Sequence, residues 1–170
     1  AGRCSIGLLW CCAVLMPAYA LCAAVPLAPK LAVFEFELQD ESASASPSGD
    51  DSAELAALNS ATAEAKKTLA ESGKYSLVDT GGAEGEAVKT RSLRNCDGCD
   101  AKIALRLGAE QSLVGVIVKV NQISYAVEIR IRDAATGKVL LVRRGVLLGG
   151  PTEWSSGVRS VIKREVLTSQ

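Results

Sequence analysis

Three β-strands in direct succession, from Gln111 to Leu148, constrain this chain more than any other stretch, because only here do β-branched residues dominate. Val114, Val116, Val118 and Val120 fall on one face of the first strand, and Leu113, Gly115, Ile117 and Lys119 on the other. Both faces are largely apolar, the pattern of a strand covered on both sides. The second strand alternates openly: Tyr125, Val127, Ile129 and Ile131 point one way, Glu128, Arg130 and Arg132 the other, which predicts one wet face. Asp133 to Lys138, with Gly137 where a left-handed residue is wanted, predicts a hairpin into the third strand. Asn121-Gln122 makes the other short connection, and the whole reads as an antiparallel meander.

Around the meander the pattern switches between periods of two and 3.6. Lys30 to Leu38 reads as a single strand, with Leu31, Val33 and Glu35 on one face and Ala32, Phe34, Phe36 and Leu38 on the other. Residues 39–51 read as a flexible Ser/Ala/Asp loop. A helix capped by Asp51 or Ser52 carries the stripe Leu55, Leu58, Thr62, Ala65 and Leu69 and stops at Gly73. Tyr75 to Val78 is a short strand, and 83–95 is unpatterned enough to be loop. A second helix spans Asp97 to Leu107, with Ile103, Ala104 and Leu107 inward. After Gly149-Gly150-Pro151, Thr152 is expected to cap a last helix whose buried stripe is Trp154, Val158, Val161, Ile162 and Val166. The expected architecture is α/β (α+β), a mixed sheet backed by helices in the order β-α-β-α-β-β-β-α. It forms one domain over 31–168, within what 170 residues support.

The first 24 residues read as a secretory signal peptide. Arg3 supplies positive charge, Ile6 to Met16 is apolar, and small residues allow cleavage after Ala20 or Ala24. The apolar run is short for a bilayer span, so no stable membrane span is expected in the mature form. Leu21 precedes Cys22 where a lipid-attachment signal wants a small residue, so a lipoprotein is not the expected form. Periplasmic or secreted is the expected location.

The chain contains no histidine. That closes Ser-His-Asp and Cys-His catalysis and every His-ligated metal site. Net charge is zero, which gives no electrostatic case for nucleic acid. Acidic residues outnumber basic ones from Leu31 to Asp100, and the balance reverses beyond. Arg130, Arg132, Arg143 and Arg144 could then form one exposed interaction patch, although without the interleaved aromatics that stack bases.

Cys96-Asp97-Gly98-Cys99 is the one cluster with reactive potential. In an exported protein so close a pair most simply forms a disulfide, here fixing where the second helix begins. Two other readings stand beside it. A C-x-x-C at a helix start can depress one thiol's pKa and act as a redox pair, although no aromatic precedes the first Cys. Two thiolates are also half a zinc site, with no second pair or His beyond the signal peptide to complete it except across a dimer, so neither metal nor cofactor is expected. Glu35 and Glu37, two apart on a strand, could serve acid–base chemistry, but a solvated carboxylate row predicts the same spacing.

Leu31-Ala32-Val33-Phe34-Glu35-Phe36-Glu37-Leu38, the Cys96/Cys99 pair and Leu107-Gly108-Ala109-Glu110 before a Val-rich strand together resemble an uncharacterised family of proteobacterial secreted proteins, a domain of unknown function. The likeness covers about Leu31 to Leu167. More distantly, the same strand, the long helix and the following meander look like the amino-terminal domain of TolB and CsgG-type envelope proteins. The resemblance implies a non-enzymatic periplasmic binding or assembly module. Its expected partners are other envelope or periplasmic proteins, or a second copy of itself, met through sheet edges or helix faces. The alternative is a thiol-disulfide accessory protein using Cys96 and Cys99.

Overall fold

The computed structural model describes residues 27–42, 51–121 and 123–168. The expected signal peptide at 1–24 and most of the expected 39–51 loop lie outside the described residues. The strands are β1 (Lys30–Val33), β2 (Glu37–Asp40), β3 (Ser76–Val78), β4 (Gln111–Lys119), β5 (Tyr125–Asp133) and β6 (Val139–Leu147). The helices are α1 (Asp51–Glu71), α2 (Glu86–Lys89), α3 (Cys99–Arg106) and α4 (Trp154–Val161). α2 and a 3-10 turn at Leu93–Asn95 occupy the stretch expected to be loop. Gln39 and Asp40 belong to β2 rather than to the following loop.

One mixed sheet carries the strands in the order β3-β1-β4-β5-β6, with β2 also pairing β4. β1 runs parallel to β3 and β4, and β4, β5 and β6 form the antiparallel meander. Helices cover both faces. On the back, α1 contributes Leu58, Ala61, Ala65 and Leu69, and α4 with its π-helical extension Ile162–Val166 contributes Trp154, Val158, Val161, Ile162 and Val166. Each Leu, Val and Ile among them is worth roughly 1.5–3 kcal/mol relative to exposure. Trp154 meets Tyr125 edge-on, ring centroids 5.3 Å apart. On the front, α3 supplies Ile103 and Ala104 against Ala32, Phe34, Val114, Val116 and Val118. β4 is therefore buried on both faces, as its two apolar rows require.

Two details of the helices differ from the sequence pattern. Leu55 is 46% exposed, and Ala61 takes its place in the stripe. Thr152 caps nothing; it sits within a 3-10 turn, Pro151–Glu153, and α4 starts without a side-chain cap. What seats α4 is a missing side chain. A Cβ at Gly145 of β6 would come within 2.4 Å of Val161 Cγ2, so the glycine lets the helix approach the sheet.

The larger difference lies in the first strand, which is broken in two. Val33 pairs with Leu113 and Glu37 with Val116, so Phe34, Glu35 and Phe36 face only Val114 and Gly115. One extra residue makes a bulge, rare between parallel strands, and reverses the sidedness of everything after it. Leu31 and Val33 face the back and Ala32 and Phe34 the front; beyond the bulge Phe36 and Leu38 return to the back. The alternation expected over Lys30–Leu38 thus holds only to Phe34. The sequence hides the slip, because phenylalanines two apart suit an unbroken strand equally well.

Candidate interaction site

The bulge organises the polar chemistry of the molecule. The Phe36 amide cannot reach β4 and instead donates to Thr62 Oγ1 of α1 at 2.9 Å, while the Thr62 hydroxyl donates to Leu58 O. That is why a threonine stands in an apolar stripe. The Phe36 carbonyl accepts from Arg91 Nη1 at 3.3 Å, and Arg91 Nη2 also reaches Asn59 Oδ1.

Glu35 and Glu37 do not form the solvated row that their spacing suggests. Glu37 emerges from the bulge facing the front and is fully buried. Its Oε1 accepts from the Leu93 amide at 2.5 Å, and its Oε2 from the Arg94 amide at 3.2 Å and Arg94 Nη1 at 2.8 Å. A buried carboxylate without such donors would be prohibitively costly, so the 3-10 turn at Leu93–Asn95 is in effect built around it. Glu35 sits within the bulge, half-buried, 3.2 Å from Lys66 Nζ and 3.7 Å from Arg91 Nη2. Glu35, Lys66 and Arg91, with Asp79 and Thr80, line a cavity of about 300 Å³. It opens at the carboxyl ends of the parallel strands β1 and β3, where open α/β sheets place ligands. Its charges are largely spent on one another.

Cys96 and Cys99 are joined by a disulfide, their Cα atoms 5.5 Å apart. Asp97 and Gly98 between them both take positive φ, 44° and 90°, the tight turn that lets α3 start at Cys99. Behind the bridge, Asp100 is fully buried, accepting from Ser112 Oγ at 2.6 Å with Arg132 Nε 3.6 Å away. This group ties α3 to β4 and β5.

The four arginines expected to make one patch are dispersed. Arg143 pairs in register with Ile129, placing it on the back, where its Nε donates to the Glu165 carbonyl and its Nη1 to the Val142 carbonyl. Arg132 faces the front but is drawn under α3 by Asp100. Arg144 and Arg130 remain on the front of β6 and β5. Arg144 Nη2 holds Glu128 Oε2 at 3.1 Å. They are joined by a third arginine, Arg94, which the unpatterned stretch 83–95 gave no reason to select. These three line a small cavity with Gln39, Val116 and Glu128.

Beyond the reach of α3 the front of β5 and β6 is uncovered. Val142 is 46% and Val146 72% exposed, with Leu140, Val120 and Ile123 also exposed, while Leu148, 81% exposed, lies just past the end of β6 and borders a groove with Ser156, Gly157 and Ser160 of α4. β6 pairs only with β5, so the strand is also an edge of the sheet. Among the described residues no helix is long and apolar enough to cross a membrane, and no group of three or more Cys, Asp or Glu is placed to hold a metal ion.

Comparison with solved structures shows the same fold. The LpoB C-terminal domain from Salmonella enterica aligns over 74% of this chain and 87% of its own, at 18% identity and a TM-score of 0.52. Lipoprotein GNA1162 from Neisseria meningitidis aligns over 83% of this chain and 95% of its own, at 13% identity and a TM-score of 0.50. TolB from Acinetobacter baumannii matches 78% of this chain with 25% of its own length, at 17% identity and a TM-score of 0.45. Among curated proteins none matches in sequence. A family model described as "Protein of unknown function (DUF2380)" matches residues 29–166, and the chain belongs to that family.

Proposed function

We propose that this chain is a non-enzymatic binding or assembly module of the bacterial cell envelope, holding another envelope protein against the open front of β5 and β6. The observation that carries this reading is the pair Val142 and Val146 on the front of β6. These apolar side chains stand in water on a sheet whose other front strands are covered by α2 and α3. The carboxylates argue in the same direction. Glu37 is sealed with both oxygens bonded, and Glu35 is ion-paired to Lys66 and Arg91, so neither carboxylate is presented free to a substrate. The lipoprotein among chains of like fold supports an envelope setting, and the signal-peptide pattern at 1–24 supports export to the periplasm with 31–168 as the mature domain. Photo-crosslinking in the native host tests the reading. A photoreactive residue at Val142 or Val146 should give a discrete adduct with another envelope protein, or with a second copy of the chain. The same residue at Lys67, exposed on α1, should not. Equal labelling from all three positions, or none from the front, would sink the proposal.

The thiol reading keeps one observation in its favour. Cys99 is the first residue of α3, where the helix dipole stabilises a thiolate. Its test is the trapping of a mixed disulfide by a Cys96→Ser variant, which leaves Cys99 to attack a partner's bridge without a resolving thiol.

A further inference from the structure

The front face carries a charge that its own residues do not balance. Arg94 answers Glu37 at 2.8 Å, Arg144 answers Glu128 at 3.1 Å, and Arg132 faces Asp100 at 3.6 Å. Arg130, between them on β5, has no carboxylate partner among the described residues, and its Nε is buried without an acceptor. A buried guanidinium N–H that lacks an acceptor loses its hydration and gains nothing in return, a cost larger still for a charged group. Natural folds do not leave such a group idle without cause. Arg130 lines a cavity of about 130 Å³ with Gln39, Arg94, Val116, Glu128 and Arg144, a volume suited to a single small oxyanion group. Three guanidinium charges set against the carboxylates of Glu37 and Glu128 leave one positive charge over.

We infer that this arginine-lined cavity is the recognition pocket of the docking face, and that it takes the carboxylate of an Asp or Glu side chain on the partner protein. The inference deepens the binding-module reading and rests on it. Three features select a carboxylate. The surplus is one charge, which a monoanion neutralises and a phosphate dianion would overshoot. The guanidinium fork matches a carboxylate in a bidentate geometry. Apolar side chains border the charged lining: Val116 and Val118 contribute to the cavity wall, and the exposed Val142 and Val146 flank Arg144 along β6. An acidic side chain with apolar neighbours therefore satisfies charge and surface together, and the exclusion of water by the valines strengthens the pair.

The test uses the full chain, with the arginine Nε–Hε resonances followed by NMR during titration with three probes at constant ionic strength. These are the blocked tripeptides acetyl-Val-Asp-Val-amide and acetyl-Val-Asn-Val-amide, and inorganic phosphate. The expected result is a saturable shift of the Arg130 resonance with the acidic peptide, and none with its amide counterpart. In Arg130→Gln the peptide's affinity should fall about tenfold or more, with Arg130→Lys intermediate because it keeps the charge without the fork. Because the titration reads the unaltered chain directly, a poorly folded variant does not blunt it. An amide peptide that shifts Arg130 equally, a phosphate that binds more tightly than the acidic peptide, or no saturable shift at all would each overturn the inference. Adducts from Val146 that persist alongside any of these would leave the module reading standing while the pocket's assignment falls.

Discussion

The ring of Phe36 lies directly over Gly115: a Cβ built on that glycine would stand 2.4 Å from the ring's Cζ and 2.5 and 2.6 Å from its two Cε atoms. The contact exists only because the bulge returns Phe36 to the back face, opposite the one residue of β4 with no side chain. Gly115→Ala should therefore be destabilising by about 1–3 kcal/mol through overpacking, despite alanine's preference over glycine in strands. Phe36→Leu alone should also cost stability. The double variant should be less destabilised than the sum of the two, because the smaller side chain vacates the space that the new methyl needs. Urea midpoints of the four proteins measure this, and strict additivity would mean that the ring and the glycine do not oppose each other.

Glu37 offers a second test, since it anchors the turn from which Arg94 projects. Glu37→Gln keeps the shape but turns one acceptor into a donor facing amide N–H groups. A loss of about 2–4 kcal/mol is expected, below the full cost of breaking a wholly buried pair because Arg94 retains some access to water. Arg94→Ala should cost less, since two backbone amides still hold the carboxylate. A Glu37→Gln protein as stable as the parent in denaturant titrations would contradict the role assigned here.

How far the fold is legible in the sequence depends on whether one face of an element is wet. β5 alternates cleanly because its back row, Tyr125 to Ile131, meets α4 while its front row is polar. The α4 stripe is legible in full for the same reason. The bulge is not, because phenylalanines two apart suit an unbroken strand as well as a broken one; the slip carries Phe36 and Leu38 to the face of Leu31 and Val33, and the burial of Glu37 follows only from that slip. Arg143 and Arg144, being adjacent on a strand, had to point to opposite sides; a single four-arginine patch was excluded by the pleat alone. Arg94 was hidden for a different reason. Its turn is held by Glu37, 57 positions earlier in the chain, rather than by any local pattern.

Acid should loosen the contact between α1 and α4. Arg159 Nε donates to Glu64 Oε1 at 2.5 Å and holds that carboxyl below its ordinary value of 4.5. Asp133 is lowered by the Thr136 hydroxyl and amide in the β5–β6 turn, and Asp40 by Ser42. For each, the folded value lies below the unfolded one, so the stabilisation is complete above the ordinary carboxylate value and is lost as pH falls through the depressed one. Stability should be flat near neutrality and decline below about pH 4.5 as these groups protonate. Glu64→Gln should flatten part of the decline. A variant whose acid profile superimposes on that of the parent would show that the pair contributes nothing.

The disulfide should act on the position of α3 rather than on whether the domain folds. It closes a loop of only four residues, so chain entropy assigns it about 2 kcal/mol, a modest share for a domain with cores on both faces of its sheet. Replacing both cysteines by serine should lower the thermal midpoint by several degrees and leave the meander intact, because β4, β5 and β6 are held by their own ladder and by the back-face core. The Asp100–Ser112–Arg132 group should report the change first. With the turn at Asp97 and Gly98 released, Asp100 is held less firmly, and amide exchange should rise along α3 and near Ser112 before it rises in β5. Front-face adducts from Val142 and Val146 should survive in the double-serine protein, since their strands lie away from the bridge. Their loss in a variant that still shows native exchange in β5 and β6 would shift the function from the open sheet face to the sulfur pair.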